Sequence, residues 1–245
     1  MYNCIYRPTV LAEITKYIQR EYQPPGQTAS GQKIQFAAAI NVPSTFCERF
    51  QNNFLSGESD SNTVKEKLRT EYLYQGQKLI VATPQNIGKG SGAVHSERKL
   101  LICDDNNRGG TPMKNLLARD KDGCAVFYTH NSPCLEFCLN QVKDDNEVNK
   151  ERIKKQRNEK KDPDNQRDVA RAVQKCILNS LDMMANHKGM KAFVFSEVYD
   201  LDLTERVKLE TALTKVAKKV PLFKCNGDSC VQCLIGNVFN NLCLP

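Results

Sequence analysis

Ala125-Val126-Phe127-Tyr128, then after three residues Ser132-Pro133-Cys134-Leu135-Glu136-Phe137-Cys138, is the part of the chain from which its architecture is read. The first four residues are apolar, aromatic or β-branched, as in a buried strand. Ser132 is a good N-cap and Pro133 a good first helical residue, so a helix is predicted with Cys134 in its first turn. There the N-terminal dipole favours a thiolate. Cys138 follows at i+4, on the same helix face.

Upstream, small residues from Gly88 to Ala93 lead into His95-Ser96-Glu97 and a second amphipathic pattern carrying Val94, Leu100, Leu101 and Ile102. A helix with His95 and Glu97 in its first turn is predicted. The two side chains would point about 200° apart, so they meet at one place only across the helix end. A metal bound by His95, Cys134 and Cys138 would then lie between two helix N-termini. Three protein ligands and one open position are the mark of a catalytic zinc site. Such a zinc lowers the pKa of a water from about 15.7 to near 7. Glu97, too close in sequence to His95 to bind the same metal comfortably, is left to carry protons.

At these residues the chain resembles the zinc-dependent cytidine and adenosine deaminase superfamily, which carries His-x-Glu and Pro-Cys-x-x-Cys. Two departures are the three-residue gap between Cys134 and Cys138 and the polar Ser96 inside the first motif. The resemblance implies an α/β, three-layer cytidine-deaminase-like fold: a five-stranded mixed sheet with helices on both faces and its last two strands parallel.

Other segments can be laid around this frame. Thr9 to Tyr22 reads as an amphipathic helix, stopped by Gln23-Pro24-Pro25-Gly26. Ile34 to Val42 is a nearly continuous apolar run of strand length, as expected of a central strand covered on both faces. A short helix around Ser44 to Leu55 and a polar loop from Ser56 to Asn62 precede a strand over Lys78 to Thr83, against which Tyr72 and Tyr74 can pair back through Gln75-Gly76. Residues of about 143–171 are dense in charge of both signs without an apolar period, read as a solvated helix or mobile insertion rather than a nucleic-acid tail. Helix is expected to resume over Val169 to Met184. A strand follows over Lys191 to Val198, then a helix over Thr204 to Lys219 with Val207, Leu209, Leu213 and Val216 inward, and a strand over Val220 to Lys224. Strand, crossover helix and strand give parallel pairing.

Within the superfamily a parallel last pair marks the branch with the tRNA-adenosine and AID/APOBEC-like polynucleotide deaminases; the free-nucleoside enzymes end in a hairpin. Val198-Tyr199-Asp200 is similar to the Tyr-Asp that AID/APOBEC enzymes carry in the loop cradling the target base. The resemblance thus makes Tyr199 and Asp200 candidate substrate contacts, with strand-end packing as the alternative for Tyr199. The Trp that AID/APOBEC enzymes place before Pro-Cys is missing, and His130-Asn131-Ser132 stands there. His130 either stacks on a base or packs. Asn86 lies near where related enzymes place an Asn on the nucleotide backbone. Among known groups the chain is most similar to the vertebrate secreted novel AID/APOBEC-like deaminases, which keep these motifs and add cysteines.

The 245 residues are expected to form one deaminase domain over 1–245, with the charged insertion and a Cys-rich tail over 225–245. A net charge of +7 favours polyanions mildly, and no apolar stretch is long enough to span a membrane. With Cys134 and Cys138 assigned to zinc, nine of the eleven cysteines remain. Cys225, Cys230, Cys233 and Cys243 read as a disulfide knot, or as a second metal site although no histidine is near. Cys103 and Cys124, on apolar stretches, read as buried thiols that need no bridge. Disulfides imply secretion, yet Met1-Tyr2-Asn3-Cys4 is not a signal peptide. The expectation is a secreted mature form, with a cytoplasmic protein as the alternative.

The resulting expectation is a zinc-dependent hydrolytic deaminase converting cytosine to uracil in single-stranded DNA or RNA. The alternatives are an adenine or free nucleoside or nucleotide deaminase, and a deaminase-fold binding or immune-type protein without turnover. Oligomeric state is not assigned by the sequence.

Overall fold

Alternate residues of the strand Cys124–Asn131 face opposite sides of one sheet, and both sides are buried. Cys124, Val126 and Tyr128 belong to one apolar cluster, Ala125 and Phe127 to the other. In the computed structural model, which describes residues 7–28, 31–86, 93–102, 110–158 and 174–245, this strand is β6, at the middle of a seven-stranded mixed sheet. The other members are β1 (Ala37–Val42), β2 (Leu73–Gln75), β3 (Leu79–Ala82), β7 (Lys191–Glu197), β8 (Leu222–Asn226) and β9 (Ser229–Gln232). Their order is β2-β3-β1-β6-β7-β8-β9. Pairing is parallel at β6–β7 and β7–β8 and antiparallel elsewhere. Two-residue strands β4 (Gln85–Asn86) and β5 (Ala93–Val94) pair separately, as do β10 (Leu234–Ile235) and β11 (Val238–Phe239).

Helices cover both faces, because a central strand that is apolar on each side must be shielded twice. On one face, α1 (Pro8–Tyr22) contributes Leu11, Ile14 and Ile18, and α3 (Ser61–Thr70) contributes Val64 and Leu68. A short α2 (Thr45–Glu48) lies between them in sequence. On the other face, α4 (Ser96–Leu101) brings Leu100 and Leu101, and α5 (Pro112–Arg119) brings Met113 and Leu116. There too, Leu209, Leu213 and Val216 come from a long C-terminal helix, Arg206–Lys219. Between these lie α6 (Gln141–Asn158) and α7 (Asp182–Ala185), so Arg206–Lys219 is α8.

Several expectations are corrected. The sheet has seven strands, not five, because each edge is extended by a hairpin: β2 folds back on β3, and β9 on β8. The last two strands are therefore antiparallel, while the crossover pair β7–β8 is parallel, with Val194 opposite Phe223. Gly227 permits the extra hairpin, since its φ of 59° lies in the left-handed region that a tight two-residue turn demands. The helix expected over Ser44 to Leu55 is only the single turn of α2. Two capped helices lie outside the sequence-based assignments. Asp60 accepts from the amides of Asn62 and Thr63 to start α3, and Thr111 accepts from Lys114 ahead of Pro112 to start α5. Val207 was expected inward but is 79% exposed, at the solvent side of α8.

No continuous helix runs to Met184. Residues 159–173 lie outside the described residues; beyond them Cys176, Ile177 and Leu178 are consecutively buried without helical structure, and only Asn179–Leu181 and α7 are helical turns. The Ile177 amide donates instead to the carbonyl of Cys138, which ties this segment to the site.

Candidate metal centre

His95, Cys134 and Cys138 come together although they lie on different elements. His95 is the N-cap of α4 rather than part of its first turn, and Val94 belongs to β5. Its carbonyl accepts from the Lys99 amide, so the imidazole leaves the helix end at a defined angle. The helix expected at Pro133 does not form. Residues 135–138 make a turn, and helix begins only with α6. The physical reason is that the intended cap is occupied: the Ser132 hydroxyl accepts from the Tyr199 amide at 3.1 Å. Asp202 takes over, accepting from the Leu135 amide at 2.9 Å, and the Leu139 amide closes back on the Cys134 carbonyl at 3.1 Å. The site thus sits between one helix N-terminus and one turn.

The donor atoms form a small triangle. His95 Nδ1 lies 3.2 Å from Cys138 Sγ and 3.6 Å from Cys134 Sγ, and the two sulfurs are 3.5 Å apart. Tetrahedral bonds of about 2.0–2.3 Å to nitrogen and sulfur set ligand separations of roughly 3.5–3.8 Å, so the triangle fits a metal ion of zinc's size. Both cysteines are buried. The hydrogen bond from Cys138 and the nearby His95 lower the Cys134 thiol, and the same hydrogen bond together with burial raises that of Cys138. His95 is raised, first by its bond to Cys134. An edge-on Phe137 ring, 5.8 Å away, packs against the imidazole, and Lys143 caps that ring at 4.3 Å.

Glu97 is 2% exposed and hydrogen-bonded by three side chains. Its Oε1 accepts from Thr129 at 2.8 Å and from Gln35 at 3.0 Å, and its Oε2 from Ser96 at 3.0 Å. Burial raises this carboxyl, against the opposing pull of His95 and the Thr129 hydroxyl. Ser96, the polar departure inside the first motif, is therefore a partner of the carboxylate.

A cleft of about 490 Å³ opens on His95 and Cys134 and is lined further by Phe137, Tyr199, Asp202 and Lys208. Of the other residues singled out in the sequence, Tyr199 stands in this cleft. Asp200 does not line it; it is exposed and takes a hydrogen bond from Gln32. The acids that line the cleft are Glu136, Asp202 and Glu205, and Asp202, two residues beyond Asp200, is held by burial at a raised pKa of about 6. His130 lies on the face of β6 that Tyr128 occupies, opposite to Thr129 and Glu97, with Nδ1 3.4 Å from the Tyr128 hydroxyl. Asn86 is exposed at the end of β4, paired with Ala93 two residues before His95. Gln35, Thr129 and Asp202 were not foreseen. Thr129 carried a signal, a lone hydroxyl on the strand face of Phe127; Gln35 carried none.

Three of the cysteine pairs close as disulfides: Cys47–Cys124, Cys225–Cys230 and Cys233–Cys243. Cys124 is bridged rather than a free thiol, because β1 runs antiparallel to β6 with Val42 opposite Cys124 and so delivers Cys47 just beyond. Cys103 lies outside the described residues. Among the described residues Cys134, Cys138 and Cys176 are free.

Among proteins of known function and among solved structures, no match is found. The family model of Secreted Novel AID/APOBEC-like Deaminase 1 matches residues 8–169 and 163–245. Extending over nearly the whole chain and including every residue of the His95, Cys134 and Cys138 triangle, that match places the protein in the Secreted Novel AID/APOBEC-like Deaminase 1 family.

Proposed function

We propose that the protein is a secreted, zinc-dependent hydrolytic deaminase that converts cytosine to uracil in single-stranded DNA or RNA. The observation carrying this reading is a buried carboxylate, Glu97, on the first turn of the helix whose cap residue, His95, shares a donor triangle with Cys134 and Cys138. Those three residues would hold zinc. When bound, zinc supplies a Lewis acid that makes water nucleophilic near neutral pH. Glu97 would take a proton from water as the oxygen adds to C4 and deliver it to ring N3. It would then move the remaining water proton to the amino group, so that cytosine and water leave as uracil and ammonia. Tyr199 offers a ring at the cleft for a base to stack on, and Lys208 and Lys215 offer charge to phosphates. Secretion is supported by the three disulfides and the family's name.

Binding without turnover is favoured by one observation. The cleft reaches His95 and Cys134 but not Glu97, whose two oxygens are both engaged within the protein. The experiment that separates these readings is ammonia release from single-stranded DNA, RNA and free nucleosides by the zinc-loaded chain. Deamination in wild type that falls by at least about a hundredfold in Glu97→Ala, with one zinc still bound, supports the enzyme. Binding of a polymer with no ammonia from any substrate supports the scaffold. Zinc at full occupancy in Cys134→Ala would refute the ligand assignment.

A further inference from the structure

We propose that Gln35 and Thr129 are positioning residues that anchor Oε1 of Glu97 and so leave Oε2 as the oxygen that serves the reaction; this rests on the deaminase reading above. Gln35 lies two residues before β1. The register that sets Ala37 opposite Thr129 carries Gln35 to the level of Asn131, at the site end of β6. Its side-chain oxygen accepts from the Asn131 amide at 2.8 Å. Only a carbonyl oxygen can accept there, so the orientation of the Gln35 amide is settled by the backbone rather than by choice of rotamer. The amide nitrogen then necessarily faces inward, 2.7 Å from the Thr129 hydroxyl and 3.0 Å from Glu97 Oε1.

Thr129 completes the anchor. Its hydroxyl receives from Gln35, which leaves its single proton for Glu97 Oε1 at 2.8 Å or the Asn131 carbonyl at 3.0 Å. Being within β6, it cannot follow a carboxylate that swings away. A carboxylate has about four acceptor positions, two on each oxygen. Gln35 and Thr129 fill those of Oε1, whereas Ser96 at 3.0 Å takes one on Oε2. The remaining capacity lies on Oε2. One oxygen is thus tied to the sheet, and the other is held on α4 beside the metal ligand His95. Since a misplacement of about 1 Å can cost a hundredfold in rate, tying one oxygen to a rigid sheet is a direct way to fix the other.

The test compares zinc-loaded wild type with Gln35→Leu, Thr129→Val and Thr129→Ser, reading zinc content, kcat and KM separately on the best cytosine substrate. Loss of the anchor should lower kcat at least about tenfold in Gln35→Leu and Thr129→Val, leaving KM within about twofold and zinc at one per chain. Thr129→Ser keeps the hydroxyl and should stay within about threefold of wild type. The double variant should lose little more than the worse single one, because the two residues act as a unit. Wild-type turnover with kcat retained in Gln35→Leu overturns the anchor and leaves the deaminase reading standing. Equal losses in Thr129→Ser and Thr129→Val also overturn it, by showing that shape rather than the hydroxyl matters, and this arm decides if Gln35→Leu fails to fold. A wild-type chain that releases no ammonia from any substrate overturns the reading itself and the anchor with it.

Discussion

His130 shows what a single position gains and loses from its side of a strand. It stands in the motif region, yet the alternation of β6 turns it toward Tyr128 and away from Glu97. Burial, reinforced by the charge of Lys33, pushes its pKa down to about 4. An unfolded histidine titrates near 6.5, so between these values the unfolded chain binds the extra proton. Stability contributed by neutral His130 is complete above about pH 6.5 and is lost as pH falls toward 4. Over this interval the shift is worth about 1–3 kcal/mol. Asp202, with its raised pKa of about 6, opposes this trend, so the comparison is with a variant. Denaturant unfolding at pH 7 and pH 4.5 should show wild type losing about 1–3 kcal/mol more than His130→Gln over this interval; equal losses would place His130 in water.

At the scale of elements, the bridge between Cys47 and Cys124 joins the end of α2 to the first residue of β6, across a separation of 77 residues. Closing a loop of that length restricts the unfolded chain, and removing the bridge should cost about 2–5 kcal/mol. Cys47→Ser should therefore lower the unfolding midpoint clearly, whereas Cys176→Ser, at a free cysteine, should not do so through loss of a cross-link. Peptide mapping without reduction should recover the linked pairs 47–124, 225–230 and 233–243, with Cys134, Cys138 and Cys176 unlinked. Capping at the same scale depends on which side chains arrive. Asp60 and Thr111 start α3 and α5 as local chemistry dictates. Ser132, equally suited by type, is diverted to the Tyr199 amide and its expected helix becomes a turn.

For the whole molecule, the donor triangle links parts that lie far apart in sequence, with Cys134 and Cys138 39 and 43 residues beyond His95. A metal bound there favours the folded state by mass action, by about 4 kcal/mol at a thousandfold excess over its dissociation constant. Chelation should lower the thermal midpoint by several degrees in wild type and leave that of Cys134→Ala unchanged; identical melting of wild type with and without chelator would contradict a bound ion. Much of the frame was legible in local patterns. Alternating or continuous apolar runs marked β1, β6 and β7, the amphipathic repeat marked α1 and α8, and the two short motifs around His95 and around Cys134 and Cys138 pointed to the side chains that the fold gathers into one triangle, because strand or helix period and motif chemistry are written locally. Gln35 beside Glu97, Asp202 in place of the Ser132 cap, the side taken by His130 and the pairing of Cys47 with Cys124 were decided by strand register and by competition for buried hydrogen bonds. Such choices join residues dozens of positions apart, and no local period records them, because a buried donor goes to whichever acceptor the assembled sheet brings within reach.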